Sequence, residues 1–245
     1  MKNSLEVHGI TKKFGGLTAL HDINFSLMEG ETLGLIGPNG AGKTTMFNLI
    51  CGLRPTSGKI MMNGEDLVGL EPQEVCQRGI ARTFQLIRVF GNLTVLDNVT
   101  CAILFGRKKK VSTTLKSARD EAMDFIKKLK LEHRAGRITK ELGFAERRRL
   151  EIARALATGP EILLLDEVMS GLSAPEATEM LDMMARIKAD YHVTVMMIEH
   201  TMRMILALCD RIVVISFGQK IAEGIPKEVL KEPEVITAYL GEEHA

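Results

Sequence analysis

Along this chain the spacing of apolar residues changes from two to about three and a half, and then alternates. Leu5 and Val7, and later Ile23, Phe25 and Leu27, alternate with polar neighbours, which is the period of strands with one buried face. Thr32–Ile36 is a short apolar strand running into a glycine-rich turn. Lys43–Cys51 follows with helical spacing, and Gly52 stands where that helix would end. Asn63-Gly64 after the apolar Ile60-Met61-Met62 predicts a hairpin turn. From about residue 94 to 157 the spacing is helical. Thr94 and Asp97 have the form of a capping box ahead of Val95, Val99, Ala102 and Ile103, and Gly106 marks a stop. Leu115, Ala118, Ala122, Phe125 and Leu129 form one apolar stripe; Leu150, Ala153, Leu156 and Ala157 form another. In the last third, strands at Ile162–Leu165, Val193–Ile198 and Ile212–Phe217 alternate with helices at Pro175–Ala189 and Thr201–Leu208. That order implies parallel β-α-β units. The expected class is α/β: a parallel-sheet core with a β-rich N-terminal part and a helical insertion.

The glycine-rich turn carries chemistry. Gly37-Pro38-Asn39-Gly40-Ala41-Gly42-Lys43-Thr44 fits G-x-x-x-x-G-K-[ST] between a strand and a helix, the context that supports a P-loop. Its glycines let successive N–H groups face inward as an anion nest, and the helix adds its positive end. Lys43 offers a charge to the β- and γ-phosphates, Thr44 offers a hydroxyl to Mg²⁺, and Thr45 completes the predicted ATP-binding set. Ile162-Leu163-Leu164-Leu165-Asp166-Glu167 is an apolar strand ending in two acids. Acids are tolerated where such a strand emerges, which is where ligands bind in open α/β sheets. Asp166 is the candidate Mg²⁺ ligand and Glu167 the candidate general base for the attacking water. A chance glycine turn or a solvated strand end explains either motif alone; both together argue for a P-loop NTPase.

Composition narrows the setting. The 245 residues suit one large domain, or one domain with an insertion. No apolar run approaches the ~18 residues of a membrane-spanning helix. The first residues lack the apolar core of a secretory signal, so a cytosolic chain is expected. With 32 basic and 31 acidic residues the net charge is +1, which argues against a nucleic-acid partner. The four cysteines show no metal or redox spacing and are expected as reduced, mostly buried thiols. The methionine pairs Met61-Met62, Met183-Met184 and Met196-Met197 read as gap-filling core or as an adaptable partner surface. Arg107-Lys108-Lys109-Lys110 reads as a solvated loop or a contact with anionic lipid. Arg147 and Glu151, four apart on a helix, predict a salt-bridged face.

On these motifs the chain resembles the ABC ATPases over essentially its whole length. Gln85, in Arg82-Thr83-Phe84-Gln85, matches the family's Q-loop glutamine. The resemblance implies that it touches Mg²⁺ and the attacking water, and that the following Leu86-Ile87-Arg88-Val89-Phe90 meets a membrane subunit. His200, after Glu199, matches the switch histidine that contacts the γ-phosphate. Phe14 matches the ring that stacks on adenine, usually a tyrosine. Taken singly, these three also read as a solvated loop residue, a structural histidine and a core phenylalanine.

The signature segment departs from the family. Where LSGGQ is expected, before Arg147, the chain has Leu142-Gly143-Phe144-Ala145-Glu146. In the family this segment reaches the γ-phosphate held by the other subunit of a head-to-tail dimer, so Gly143, Phe144, Ala145 and Glu146 join the expected nucleotide contacts. The serine hydroxyl is lost at Gly143, and Glu146 brings a carboxylate that is unfavourable beside phosphate unless Arg147 or Arg148 offsets it. A weaker or slower ATP-sandwich dimer is the expectation. Ser173 replaces the usual aspartate of Ser170-Gly171-Leu172-Ser173, and Val168 the usual proline after the acid pair.

Gly79–Gln85, Leu93–Val99, Cys209–Val214, Ile221–Gly224 and Ala238–Gly241 are most similar to importers of branched-chain amino acids. The insertion around residues 107–130 is similar to that of one of the two ATPases such importers carry. The resemblance implies one ABC ATPase domain over 1–245, with a helical subdomain at approximately 87–158. It implies an ATP-hydrolysing subunit that pairs with a second ATPase subunit, as homo- or heterodimer. Through a separate permease it would sit at the inner face of the membrane, without touching the cargo. A low-turnover regulatory cassette beside a more active one, or an amide or urea importer, stays open. A soluble ABC ATPase acting on nucleic acid or ribosomes is disfavoured by the single cassette and balanced charge.

Overall fold

The computed structural model describes residues 2–107 and 114–240; the Lys108-Lys109-Lys110 run and Gly241 lie outside them. In chain order the elements are β1 (Asn3–Phe14), β2 (Leu17–Met28), β3 (Thr32–Ile36), α1 (Lys43–Ile50), β4 (Ser57–Met62), β5 (Glu65–Asp66), α2 (Pro72–Gln77), β6 (Ile80–Arg82), α3 (Val95–Gly106), α4 (Leu115–Lys128), α5 (Phe144–Ala157), β7 (Ile162–Asp166), α6 (Ala174–Tyr191), β8 (Thr194–Ile198), α7 (Met202–Leu208), β9 (Arg211–Ser216), β10 (Gln219–Gly224), α8 (Pro226–Val229) and α9 (Pro233–Leu240). Two compact units result. One is built from both ends of the chain, up to Pro72 and from Thr194 onward; the other is Gln73–Val193.

The unit from the chain ends holds two kinds of sheet. β2, β1, β4 and β5 are antiparallel neighbours, and Leu5, Val7 and Ile10 face Leu27, Phe25 and Ile23 across the first pair, all six buried. Asn63 and Gly64 both take positive φ (50° and 84°), the two-residue hairpin geometry that Asn-Gly favours. The second set runs β10-β9-β3-β8, with β3 parallel to both β8 and β9. All five residues of β3 are buried, which is why it reads as an unbroken apolar run. Its start is fixed by polar staples. The Thr32 N–H donates to Asp210 Oδ2 at 2.8 Å, and Arg211 grips Glu31 with Nε and Nη2 at 2.7 and 2.9 Å. β3 therefore delivers the residues after Ile36 from a rigid strand.

In the Gln73–Val193 unit, β6 pairs parallel with β7, setting Arg82 opposite Leu164. Val95, Val99 and Ile103 of α3, Ala118, Ala122 and Phe125 of α4, and Leu150, Ala153, Leu156 and Ala157 of α5 are buried. Thr94 caps α3, its Oγ1 accepting the Asp97 N–H at 3.0 Å. The Asp97 carboxylate takes the Thr94 hydroxyl at 2.7 Å, so that side chain returns to the cap's hydroxyl.

Four expectations are corrected. Leu115 is exposed, because it opens the first turn of α4 after the Thr114 cap; the buried stripe starts at Ala118. The four thiols are free but half-buried, not buried. β9 stops at Ser216, and Phe217 is 92% exposed in a two-residue turn with Gly218, both at positive φ. Glu151 pairs with Arg148, not Arg147. Among the described residues no helix is long and apolar enough to cross a membrane.

Candidate nucleotide site

The P-loop leaves β3 and enters α1 through glycines whose geometry other residues could not share. Gly37 has φ 146°, and a Cβ there would lie 1.9 Å from the Ile215 carbonyl oxygen. Gly42 has φ 107°, with Leu20 Cδ2 and the Ala19 oxygen 2.6 and 2.8 Å from where its Cβ would be. Main chain is thus packed against main chain, and the loop curls tightly enough to turn its N–H groups inward. The Gly218 N–H, donating to the Ala41 oxygen at 3.1 Å, ties the β9–β10 turn to the loop. Lys43 is only 6% exposed, and its Nζ donates to the Gly37 and Pro38 oxygens at 2.6 Å each. A buried ammonium needs such partners, and these hold it over the loop where a phosphate would be met. Asn39, Gly40 and Thr44 are exposed and Thr45 is half-buried. Phe14 ends β1, 49% exposed, with Lys12 Nζ 4.8 Å from its ring centroid. His200 is exposed directly after the buried Glu199 that follows β8. These residues all belong to the unit formed by the chain ends.

The acid pair lies in the other unit. Asp166 closes β7 and is 1% exposed. Its backbone N–H reaches Thr83 Oγ1 at 3.1 Å, and its Oδ2 accepts from Arg82 Nη2 at 2.7 Å. Among the described residues its second oxygen, Oδ1, is buried and has no hydrogen-bond partner. An unmet buried carboxylate oxygen costs about 1–3 kcal/mol, so it marks a ligand position. A buried hard oxygen donor of this kind is chemically suited to Mg²⁺. No group of three or more His, Cys, Asp or Glu among the described residues could hold a metal by itself. Glu167, half-buried, takes φ 49°, a strained value for a residue with a side chain. Gln85 Nε2 donates to Glu167 Oε2 at 3.0 Å, so the structure joins these two expected catalytic residues.

Gly143 caps α5, and its N–H donates to Glu146 Oε2 at 3.0 Å. Glu146 also accepts from Arg134 Nε at 2.8 Å, with His133 Nε2 at 3.6 Å from the same oxygen. Burial pushes this carboxyl up, but Arg134 and the Gly143 N–H prevail and hold it below the ordinary glutamate range. The expectation that Arg147 or Arg148 offsets this charge is corrected: Arg134, from the preceding 3-10 turn Glu132–Arg134, does so. Phe144 lays its ring edge against Gly171, where a Cβ would stand 3.0 Å from it. Leu86 and Phe90 are 80% and 50% exposed, leaving apolar surface after Gln85.

The profile of the ABC transporter family matches residues 20–170, more than half of the chain. The chain belongs to the ABC transporter family. A second profile, the branched-chain amino acid ATP-binding cassette transporter, matches residues 219–245 of this cassette. The cassette is 38% identical over 250 residues to the high-affinity branched-chain amino acid transport ATP-binding protein LivG of Escherichia coli K12, covering 97% of this chain and 98% of that protein. Among solved structures it superimposes on the ADP conformation of MJ1267, an ATP-binding cassette of an ABC transporter, with TM-score 0.87 at 32% identity, over 98% of this chain and all of that one. The dimeric cassette MJ0796 bound to ADP and Pi gives 0.81 at 26% identity, over 91% of this chain and 98% of that one. The cassette is thus a transport ATPase with the P-loop ABC fold.

Sequence reasoning missed Arg82 and Arg134 as residues around the site, and named Arg148 and Glu151 with other partners than the ones they have. Arg82 carried no local signal, since its reach to Asp166 depends on β6 pairing with β7. Arg148 and Glu151 share a helix face with Ile152 and Ala155, all buried, and that shared face was the available signal. Arg134 carried no signal, since its reach to Glu146 depends on a turn.

Proposed function

We propose that this cassette hydrolyses Mg-ATP to power import of branched-chain or related amino acids through a separate permease, working as a dimer with a second ATPase subunit. The chemical reading rests on Asp166-Glu167, one acid with a buried open oxygen and the other held by Gln85. The cargo reading rests on the E. coli relative, whose name specifies branched-chain amino acids and which this chain matches nearly end to end. The membrane and permease association rests on the same kinship, and on the exposed apolar Leu86 and Phe90. Pairing with a second cassette rests on the dimeric solved relative.

In this reading, P-loop N–H groups and Lys43 hold the phosphates, and Phe14 stacks on the adenine. Thr44, Gln85 and Asp166 hold Mg²⁺, which when bound neutralises charge on the β- and γ-phosphate oxygens. Glu167 accepts a proton from the attacking water, Gln85 and His200 orient that water, and Gly143–Glu146 address the nucleotide of the partner cassette. Glu167→Gln should keep nucleotide affinity and lose about 10²–10⁴-fold in turnover, read by steady-state phosphate release beside a binding titration. Wild-type turnover in that variant would overturn the assignment. For the cargo, the wild-type cassette should restore leucine uptake to cells lacking their own LivG, and Glu167→Gln should not.

A further inference from the structure

After Thr83, whose N–H still donates to the Leu164 oxygen of β7 at 2.9 Å, residues 84–88 belong to no strand or helix. Their backbone groups need other partners, and α5 supplies them. Arg148 Nη1 donates to the Phe84 oxygen at 2.7 Å, and Nη2 to the Gln85 oxygen at 3.0 Å. Glu151 Oε1 accepts the Phe84 N–H at 3.2 Å and the Arg88 N–H at 3.1 Å. Arg154 Nη1 takes the Arg88 oxygen. Arg148 and Glu151 also pair with each other at 3.0 Å, their side chains 2% and 4% exposed. Two buried charges are costly, and a pair with no other task is replaceable by well-packed apolar residues at little loss. This pair spends its hydrogen bonds on both ends of one short loop, and the residue between, Gln85, reaches Glu167.

We propose that Arg148 and Glu151 are positioning residues for hydrolysis. They fix the backbone of residues 84–88 so that Gln85 meets Glu167. Because they stand on α5, they tie the orientation of Gly143–Glu146 to the state of the catalytic base in the same chain. A change felt at the start of α5 then reaches Glu167 through two hydrogen-bonded steps. The inference rests on Glu167 as base and adds which residues hold Gln85 to it.

The test is a double-mutant cycle on the full-length protein, using Glu151→Gln, Gln85→Ala and the two combined. Each variant is measured for single-turnover Mg-ATP hydrolysis with protein in excess, for equilibrium binding of a fluorescent ATP analogue, and for thermal melting. Glu151→Gln keeps an acceptor oxygen but loses the charge pairing with Arg148. It should bind the analogue within about twofold of wild type and hydrolyse roughly 10–100-fold more slowly. Gln85→Ala should lose a similar factor, and the combined variant no more than Gln85→Ala alone. Independent losses that multiply in the combined variant would overturn the proposal, as would a fall in binding equal to the fall in rate. Should Glu151→Gln fail to fold, Arg148→Lys keeps the charge and fewer donors, and the same cycle with Gln85→Ala decides. Glu167→Gln runs alongside. If it hydrolyses at the wild-type rate, the reading of the base fails; if it is inactive while the cycle is additive, only the positioning role fails.

Discussion

Asp166 and Glu167 are neighbours in sequence with opposite surroundings. One is sealed at the end of β7 with a single arginine contact and an open oxygen; the other stands half-buried in a strained turn facing a glutamine. Asp166→Asn should therefore weaken dependence on Mg²⁺ more than affinity for nucleotide without metal, read by titrating a fluorescent ATP analogue with and without Mg²⁺. Glu146 gives a pH prediction. Its carboxyl is held below the ordinary range, so its contribution to stability is complete above the unfolded value of about 4.3 and is lost as the pH falls through the lower folded value. Melting temperatures of wild type and Glu146→Gln should differ at pH 7 and converge below about pH 4; a gap that widens in acid would reverse the sign.

The element that carries most of the site's support is α5. Its Leu150, Ala153, Leu156 and Ala157 are buried apolar residues, and its buried Arg148 and Glu151 hold the loop after β6. Arg148→Ala would strand Glu151 and free two carbonyls, and should cost about 3–5 kcal/mol in denaturant unfolding. By comparison, Thr94→Ala removes one cap bond from α3 and should cost about 1 kcal/mol. At the β3–α1 junction, Gly37→Ala should abolish nucleotide binding, since its Cβ cannot coexist with the Ile215 oxygen.

For the whole molecule, the chain builds one unit from its two ends and the other from Gln73–Val193, which lies between them in sequence. The P-loop lies in the stretch before Pro72 and the acid pair in Gln73–Val193. If two cassettes share the work, specific ATPase activity should rise with protein concentration until the dimer saturates, then level off. A specific activity independent of concentration across the micromolar range would count against pairing between identical copies.

The sequence determined the features that depend on neighbours along the chain. β3, α1, the Asn63-Gly64 turn, the Thr94 cap and the P-loop follow from local period, caps and glycine conformations, and all are found where the pattern put them. The family resemblance followed from Gln85, His200 and Phe14 beside the P-loop and the acid pair. Tertiary structure decided what long-range contact controls. Arg82 meets Asp166 because two strands end side by side; Arg134 neutralises Glu146 because a 3-10 turn presents it; Arg148, not Arg147, meets Glu151 because Arg148 is sealed one helical turn before it while Arg147 is only half-buried. A charged residue looks the same in sequence whether solvated or sealed, and only packing determines which arginine is left to satisfy a buried carboxylate.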